Sequence, residues 1–276
     1  MRLLIALIAA VWALPAVTAW AAEPDTIEIP NGETRLRAVV YRPEGPGPFP
    51  AVIGLHACSG LNNSSGVMAS RYRDWGQRLA QAGFAVVIPD SYGSRGLGSQ
   101  CGVRARAARS DRERVADVYA VRAWLHDQPW AAADRISLLG WSSGAIAALW
   151  AVRPRVAATD GKPDFRSAAV LYPGCRRLLN AAWSTRVPTL VLLAGADDHA
   201  SAATCQQMVA GARGRSARIL LHVYPGAHHD FDHPSRRLQV RTGYAFSNDG
   251  SGRVRSGTHP AARADALKRV PEWFKR

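Results

Sequence analysis

A single serine stands between two glycines where a short apolar run gives way to a helix-forming run. The pentapeptide Gly140-Trp141-Ser142-Ser143-Gly144 follows the apolar segment 135–139 and precedes the alanine-rich segment 145–150. A G-x-S-x-G pattern between a strand and a helix predicts a tight turn with the Ser142 hydroxyl at its tip. The amide dipoles of the following helix would favour negative charge at the same place. We therefore predict that Ser142 is a nucleophile; the alternative role is a helix N-cap.

Two later segments supply the partners that such a serine needs. A serine hydroxyl requires a base, and the base requires an acidic group that orients it. Apolar runs end in Gly195-Ala196-Asp197-Asp198 and in Gly226-Ala227-His228-His229-Asp230. We expect His229 to be the base and Asp198 its partner, with His228 and Asp197 as the alternatives. Ser, Asp and His in this chain order, each after a strand, follow the order of α/β-hydrolases rather than that of chymotrypsin or subtilisin.

Backbone amides near Ser142 are the expected oxyanion donors. The residue after the nucleophile usually gives one N–H, which here is that of Ser143. The second donor should come from the turn after the run 51–55, where Cys58 is the first choice and Ala57 the second. The histidines and aspartates within 228–233 lack the H-E-x-x-H spacing of a helical zinc site, so no metal is expected.

Strand-length apolar runs alternate with helix-period segments along the chain. The expected strands are 36–41, 51–55, 84–88, 136–139 and the runs ending at Tyr172, Ala194 and Tyr224, and the expected helices are 68–81, 111–127 and 261–275. This alternation predicts an α/β fold with a mostly parallel central sheet and helices on both faces. The segment 235–259 is rich in Arg, Gly and Ser, and is expected to be an irregular connection, with a lid as the alternative.

The N-terminal segment has the pattern of a secretory signal. Arg2 precedes an apolar core at 3–11, and Ala19-Trp20-Ala21 gives a small-x-small cleavage site. We expect residues 1–22 to be a signal peptide and residues 23–276 to form a single domain. No later segment is long and apolar enough to span a bilayer, so we expect a soluble protein in the periplasm or secreted, without stable membrane insertion.

The formal net charge of +14 is carried mainly by arginine. The arginines are dispersed and form no basic strip interleaved with aromatic residues, so a nucleic-acid partner is not expected.

Four cysteines lie after or near predicted strand ends. They contain no C-x-x-C motif, which argues against a zinc ribbon or a thioredoxin-type site. Export would permit disulfides. Cys58 and Cys101 follow neighbouring strands, and Cys175 lies close in topology to Cys205, so we expect the pairs Cys58–Cys101 and Cys175–Cys205, with free buried thiols as the alternative.

Over most of residues 23–276 the chain resembles the dienelactone hydrolase family of α/β-hydrolases. The matching segments include 56–60, 89–96, the serine turn, Tyr172-Pro173-Gly174-Cys175, 195–198 and 226–231. The resemblance implies hydrolysis of a small-molecule ester or lactone through an acyl-enzyme, with no cofactor. The dienelactone-opening members use a cysteine nucleophile, and the serine here points instead to general carboxylesterase chemistry.

The same resemblance suggests a substrate-binding arginine. Family members hold the substrate carboxylate with an arginine near the cleft, and Arg95 is the nearest candidate in this chain. The alternative is a loop arginine that pairs with Asp90 or Asp111.

Overall fold

A computed structural model describes residues 24–157 and 159–276, and the predicted signal peptide lies outside these residues. Within the described part, the strands and helices alternate along the chain as predicted. In order they are β1 (Asp25–Asn31), β2 (Thr34–Tyr41), β3 (Phe49–Leu55), α1 (Ser70–Gln81), β4 (Ala85–Pro89), α2 (Glu113–His126), β5 (Ala131–Trp141), α3 (Ser143–Ala151), β6 (Ser167–Leu171), α4 (Arg176–Asn180), β7 (Thr189–Ala194), α5 (Ala202–Gly211), β8 (Ile219–Tyr224), β9 (Gln239–Arg241), β10 (Val254–Ser256) and α6 (Pro260–Phe274).

One eight-stranded sheet organises the described chain. Its strand order is β1-β2-β4-β3-β5-β6-β7-β8, with β1 and β2 antiparallel to their neighbours and the other pairings parallel. The carboxyl ends of the parallel strands therefore meet at one edge. In open α/β sheets this edge is where ligands bind.

Helices cover both faces of the sheet, because the parallel strands are apolar on both sides. Apolar side chains of α2, α3 and α5 pack into one core layer, which includes Val121, Leu149 and Met208. Those of α1 and α6 pack into the other layer, which includes Trp75 and Val270. The predicted fold class is thus confirmed.

Most predicted elements are present with small shifts at their ends. The strand β1 and the five-residue helix α4 were not predicted from the sequence. In β1 only Ile29 is buried, so the strand shows no apolar run, and α4 is too short to show a period. The segment 235–259 is mainly irregular and contains the short antiparallel pair β9–β10. Within the described ranges no helix has the length and apolarity that crossing a membrane requires.

Candidate active site

The turn between β5 and α3 holds Ser142 in an unusual backbone conformation, with φ 52° and ψ −114°. Two glycines make the turn possible. A Cβ on Gly144 would lie 1.9 Å from the carbonyl oxygen of Leu55, and a Cβ on Gly140 would lie 2.6 Å from the Cα of Ala145. The Ser142 side chain makes no capping hydrogen bond to α3, so its hydroxyl does not cap the helix. Strained backbone of this kind is typical of functional positions.

The structure brings Ser142 and His229 together, although 87 residues separate them in the chain. The Oγ of Ser142 lies 3.0 Å from Nε2 of His229. Both residues are buried, at 6% and 5% exposure. His228 occupies a different position, because its Nδ1 lies 2.6 Å from the carbonyl oxygen of Ala196. Of the two adjacent histidines, only His229 is in hydrogen-bond reach of the serine.

The acidic partner of His229 is Asp197, which corrects the expectation that it is Asp198. Oδ2 of Asp197 lies 2.7 Å from Nδ1 of His229, and its Oδ1 accepts the amides of His199 and Ala200 at 2.9 and 3.0 Å. These two hydrogen bonds fix the orientation of the Asp197 carboxylate.

Asp198 instead points toward the segment before α6. Its carboxylate accepts hydrogen bonds from the backbone amide and the Nε of Arg255, at 2.8 and 2.9 Å. The reason is the course of the turn after β7. Backbone hydrogen bonds from Gly195 to Tyr224 and from Ala196 to Ala227 hold this turn against the loop after β8. The first aspartate therefore faces the histidine, and the second faces outward.

The charge state of His229 follows from its surroundings. Burial disfavours the imidazolium, but the negative charge of Asp197 and its hydrogen bond outweigh burial, so the pKa of His229 is raised above 6.5. Asp230 raises this pKa further, and Arg71 opposes it. The neighbouring His199, whose ring centre is 4.5 Å away, has a pKa lowered to about 3 by burial and by His229. His199 is therefore neutral wherever His229 titrates.

The raised pKa of His229 predicts that activity is lost as the pH is lowered. Protonated His229 cannot accept the Ser142 proton, so kcat/KM should fall as the pH drops through the pKa of His229. Because that pKa is raised, the midpoint of the fall should lie above pH 6.5. The measurement is kcat/KM for a neutral ester from pH 5 to 9. Asp198→Asn should keep this midpoint, whereas a wild-type midpoint at or below pH 6.5 would contradict the raised pKa.

The turn after β3 offers the expected oxyanion donors. The N–H of Ala57 donates to the hydroxyl of Tyr72 at 2.8 Å and is therefore occupied. The N–H of Cys58 has no acceptor among the described residues. Ser143 is the first residue of α3, where an N–H lacks an acceptor within the helix. We therefore keep the amides of Cys58 and Ser143 as the candidate oxyanion donors.

Two disulfides fix loops around this site, with the pairings expected from the sequence. Cys58–Cys101 joins the turn after β3 to the loop after β4, and the amide of Gln100 donates a 2.8 Å hydrogen bond to the Cys58 carbonyl oxygen. Cys175–Cys205 joins the start of α4 to α5. Cross-links of this kind restrict the motion of the segments they join.

Arg95 does not line the site, which corrects its predicted role in substrate binding. Its guanidinium forms two hydrogen bonds with the buried carboxylate of Asp117, at 2.6 and 3.0 Å, and a third with the Ser91 carbonyl oxygen. Its partner is therefore neither Asp90 nor Asp111. Asp117 lies on α2, one turn past the start of the helix, and no local sequence pattern indicated that this carboxylate is buried.

A buried network beneath His229 was not predicted from the sequence. The ring of Tyr172 lies 4.6 Å from that of His229, and its hydroxyl donates to Asp232 at 2.5 Å. The other oxygen of Asp232 accepts the indole N–H groups of Trp75 and Trp141, each at 2.8 Å. Asp232 is fully buried, and these donors satisfy it. The only sequence signal was an aspartate three residues after His229, within the run of histidines and aspartates at 228–233.

Among the described residues, no group of three or more His, Cys, Asp or Glu side chains is arranged to hold a metal ion.

The mostly parallel sheet, the helices on both faces and the serine turn after β5 define an α/β-hydrolase. The chain belongs to the dienelactone hydrolase family, whose model matches residues 36–276. This membership makes it a hydrolase by class. No curated protein matches the sequence.

Solved structures share the fold at low sequence identity. A dienelactone hydrolase-like promiscuous phosphotriesterase from metagenomic libraries is 17% identical, with a TM-score of 0.71 over 92% of this chain and 98% of that one. A dienelactone hydrolase from Anabaena variabilis is 18% identical, with a TM-score of 0.61 over 92% and 97%. The acylaminoacyl peptidase of Pyrococcus horikoshii is 16% identical, with a TM-score of 0.66, and covers 93% of this chain but only 41% of the peptidase. These likenesses support the fold alone.

Proposed function

We propose that this protein hydrolyses carboxylic esters or lactones through a covalent acyl-enzyme, with Ser142 as nucleophile, His229 as base and Asp197 as its orienting partner. The observation that carries the proposal is the continuous relay from Ser142 Oγ to His229 Nε2 at 3.0 Å and from His229 Nδ1 to Asp197 at 2.7 Å. A serine alone is a poor nucleophile, and this relay provides what activates it.

In the first half-reaction, His229 takes the proton of Ser142 as Oγ attacks the ester carbonyl carbon. The carbonyl oxygen becomes an oxyanion, which the amides of Cys58 and Ser143 bind; one such donor is worth roughly 3–4 kcal/mol in the transition state. Asp197 fixes the tautomer of His229 and stabilises its cation. His229 then protonates the leaving oxygen, the C–O bond breaks, and the alcohol departs from the acyl-enzyme.

The second half-reaction repeats these steps with water. His229 removes a proton from water, and the hydroxide attacks the acyl carbon. The same amides bind the second oxyanion. When it collapses, the bond to Oγ breaks, the carboxylic acid leaves, and His229 returns the proton to Ser142. No cofactor or metal takes part in either half-reaction.

We also propose that the protein acts outside the cytoplasm, as a single exported domain in the periplasm or secreted. The two disulfides support this, because disulfides persist in oxidising compartments. The N-terminal signal pattern supports it independently.

Covalent labelling tests the proposal directly. A fluorophosphonate probe should attach to Ser142 with loss of fluoride, and mass spectrometry should locate the adduct on that residue. His229→Ala should abolish labelling, because Oγ loses its base.

A panel of nitrophenyl esters, a dienelactone, acetylated sugars and peptides would then separate an esterase from a peptidase or a polysaccharide deacetylase. Folded protein that does not label would favour a non-catalytic binding protein instead.

A further inference from the structure

Two cavities meet at the candidate nucleophile. One has a volume of about 590 Å³ and the other about 920 Å³. Ser142 and Cys58 line both cavities, and the two have no other lining residue in common. An ester bound for attack places its carbonyl carbon at Ser142 and its oxygen at the Cys58 amide. The acyl and alcohol parts of the substrate must therefore extend into different cavities.

The smaller cavity, called here the apolar cavity, has the lining expected for an aromatic group. Ile146 and Trp150 of α3 form one part of it, and Phe246 another. The guanidinium groups of Arg104 and Arg106 lie over the Phe246 ring, 5.7 and 5.5 Å from its centre. An aromatic ligand would extend this stack of planar groups.

The larger cavity, called here the polar cavity, offers side-chain groups that are free to form hydrogen bonds. The side-chain amide of Asn62 and the hydroxyl of Tyr244 line it, and neither has a hydrogen-bond partner among the described residues. Of the four arginines that line it, Arg71 and Arg236 share the carboxylate of Asp230, and Arg37 and Arg241 add two more guanidinium groups. An amide, a hydroxyl and several guanidinium donors suit a ligand that is rich in hydroxyl groups, because each hydroxyl oxygen can accept hydrogen bonds from them.

The position of His229 decides which part of the substrate enters which cavity. His229 lines the polar cavity and is not among the residues that line the apolar one. In the proposed mechanism it protonates the leaving oxygen, so the alcohol must depart on its side. The alcohol therefore belongs to the polar cavity, and the acyl group belongs to the apolar cavity.

We infer that the substrates are esters that join an aromatic carboxylic acid to a polyhydroxylated alcohol, such as a sugar. This inference rests on the proposed function and specifies its substrate class. Hydrolysis breaks the acyl C–O bond, with the oxygen of water ending on the acid and a proton on the alcohol.

Four matched esters test the assignment. They combine a cinnamoyl or an acetyl group with the 6-hydroxyl of methyl glucoside or with cyclohexylmethanol. Cyclohexylmethanol has a six-membered ring but no hydroxyl group besides the one that is esterified. For the wild-type protein, kcat/KM should be at least about tenfold higher for cinnamoyl than for acetyl, and for the glucoside than for cyclohexylmethanol. Absence of either preference would overturn the inference.

Variants in each cavity make the test specific. Phe246→Ala should reduce the cinnamoyl preference about tenfold and leave the alcohol preference within about twofold. Asn62→Leu should do the reverse, with Tyr244→Phe as a second variant of the polar cavity. Thermal unfolding verifies that each variant is folded. Crossed effects, in which Phe246→Ala changes the alcohol preference, would overturn the assignment of the cavities.

Fluorophosphonate labelling of the wild-type protein separates this inference from the proposed function. Labelling at Ser142 together with equal hydrolysis of all four esters would leave the esterase proposal intact. It would refute the assignment of an aromatic acyl group and a polyhydroxylated alcohol to the two cavities. Failure to label would refute the proposed function, and the inference with it.

Discussion

Ser142→Ala should lower kcat for ester hydrolysis by about 10⁶-fold, while the protein remains folded. The substitution removes only Oγ. The Cβ already exists in serine, so the turn with its φ of 52° meets no new clash. Without Oγ no acyl-enzyme forms, and His229 has no proton to accept. The measurement is kcat for a nitrophenyl ester on purified protein, with circular dichroism and thermal unfolding to verify the fold.

Ser137→Ala is the matched control for this prediction. Ser137 is a buried serine on β5, the strand that precedes Ser142, and its hydroxyl forms a hydrogen bond with that of Ser167 at 3.1 Å. Its substitution should leave kcat within about twofold of the wild-type value and reduce stability by about 1 kcal/mol. A Ser142→Ala variant that kept a tenth or more of wild-type kcat would show that another group is the nucleophile.

Asp197→Asn should lower kcat by about 10⁴-fold. Asparagine can still accept the amides of His199 and Ala200 through its Oδ1, so the turn after β7 should keep its shape. Its NH₂ group would then face Nδ1 of His229 and donate to it. The imidazole would be held in the tautomer whose Nε2 carries the proton, and this tautomer cannot accept the Ser142 proton. The measurement is kcat at the pH where the wild-type profile has reached its upper plateau.

Asp198→Asn is the matched control, since it makes the same change at the adjacent position. Its carboxylate pairs with Arg255, whose side chain is 52% exposed, and exposed pairs of this kind contribute little to stability. We expect wild-type kcat within about twofold. If Asp198→Asn caused the large loss and Asp197→Asn did not, the carboxylate seen on His229 would not be the one used in catalysis.

The two variants together also test how the relay is organised. Asp197 is held by two backbone amides, and His229 packs against Tyr172, which Asp232 anchors from below. Removing a member of such a unit costs far more than a single hydrogen bond, because the remaining members lose the geometry in which they act together. The large difference expected between two adjacent aspartates follows from this.

Local sequence signals predicted the serine turn and most strands and helices. Gly140 and Gly144 mark the turn because any side chain there would collide with backbone, a constraint that the pentapeptide itself carries. Apolar periodicity marks buried strands and helices, because each element must bury its own apolar surface. The chain order of serine, acid and base also follows from the sequence once the strands are recognised. The disulfide pairings were predictable because each pair follows topologically neighbouring elements.

Only the tertiary structure decided which of several adjacent candidate side chains enters the site. The choice between Asp197 and Asp198 depends on backbone hydrogen bonds from Gly195 and Ala196 to the loop after β8, about 30 residues further along the chain. The position of Arg95 depends on its ion pair with Asp117, a buried carboxylate on α2. The two cavities are likewise assembled from loops distant in sequence. Periodicity and turn motifs report interactions within a few residues, whereas side-chain direction at a loop end is set by contacts between distant segments.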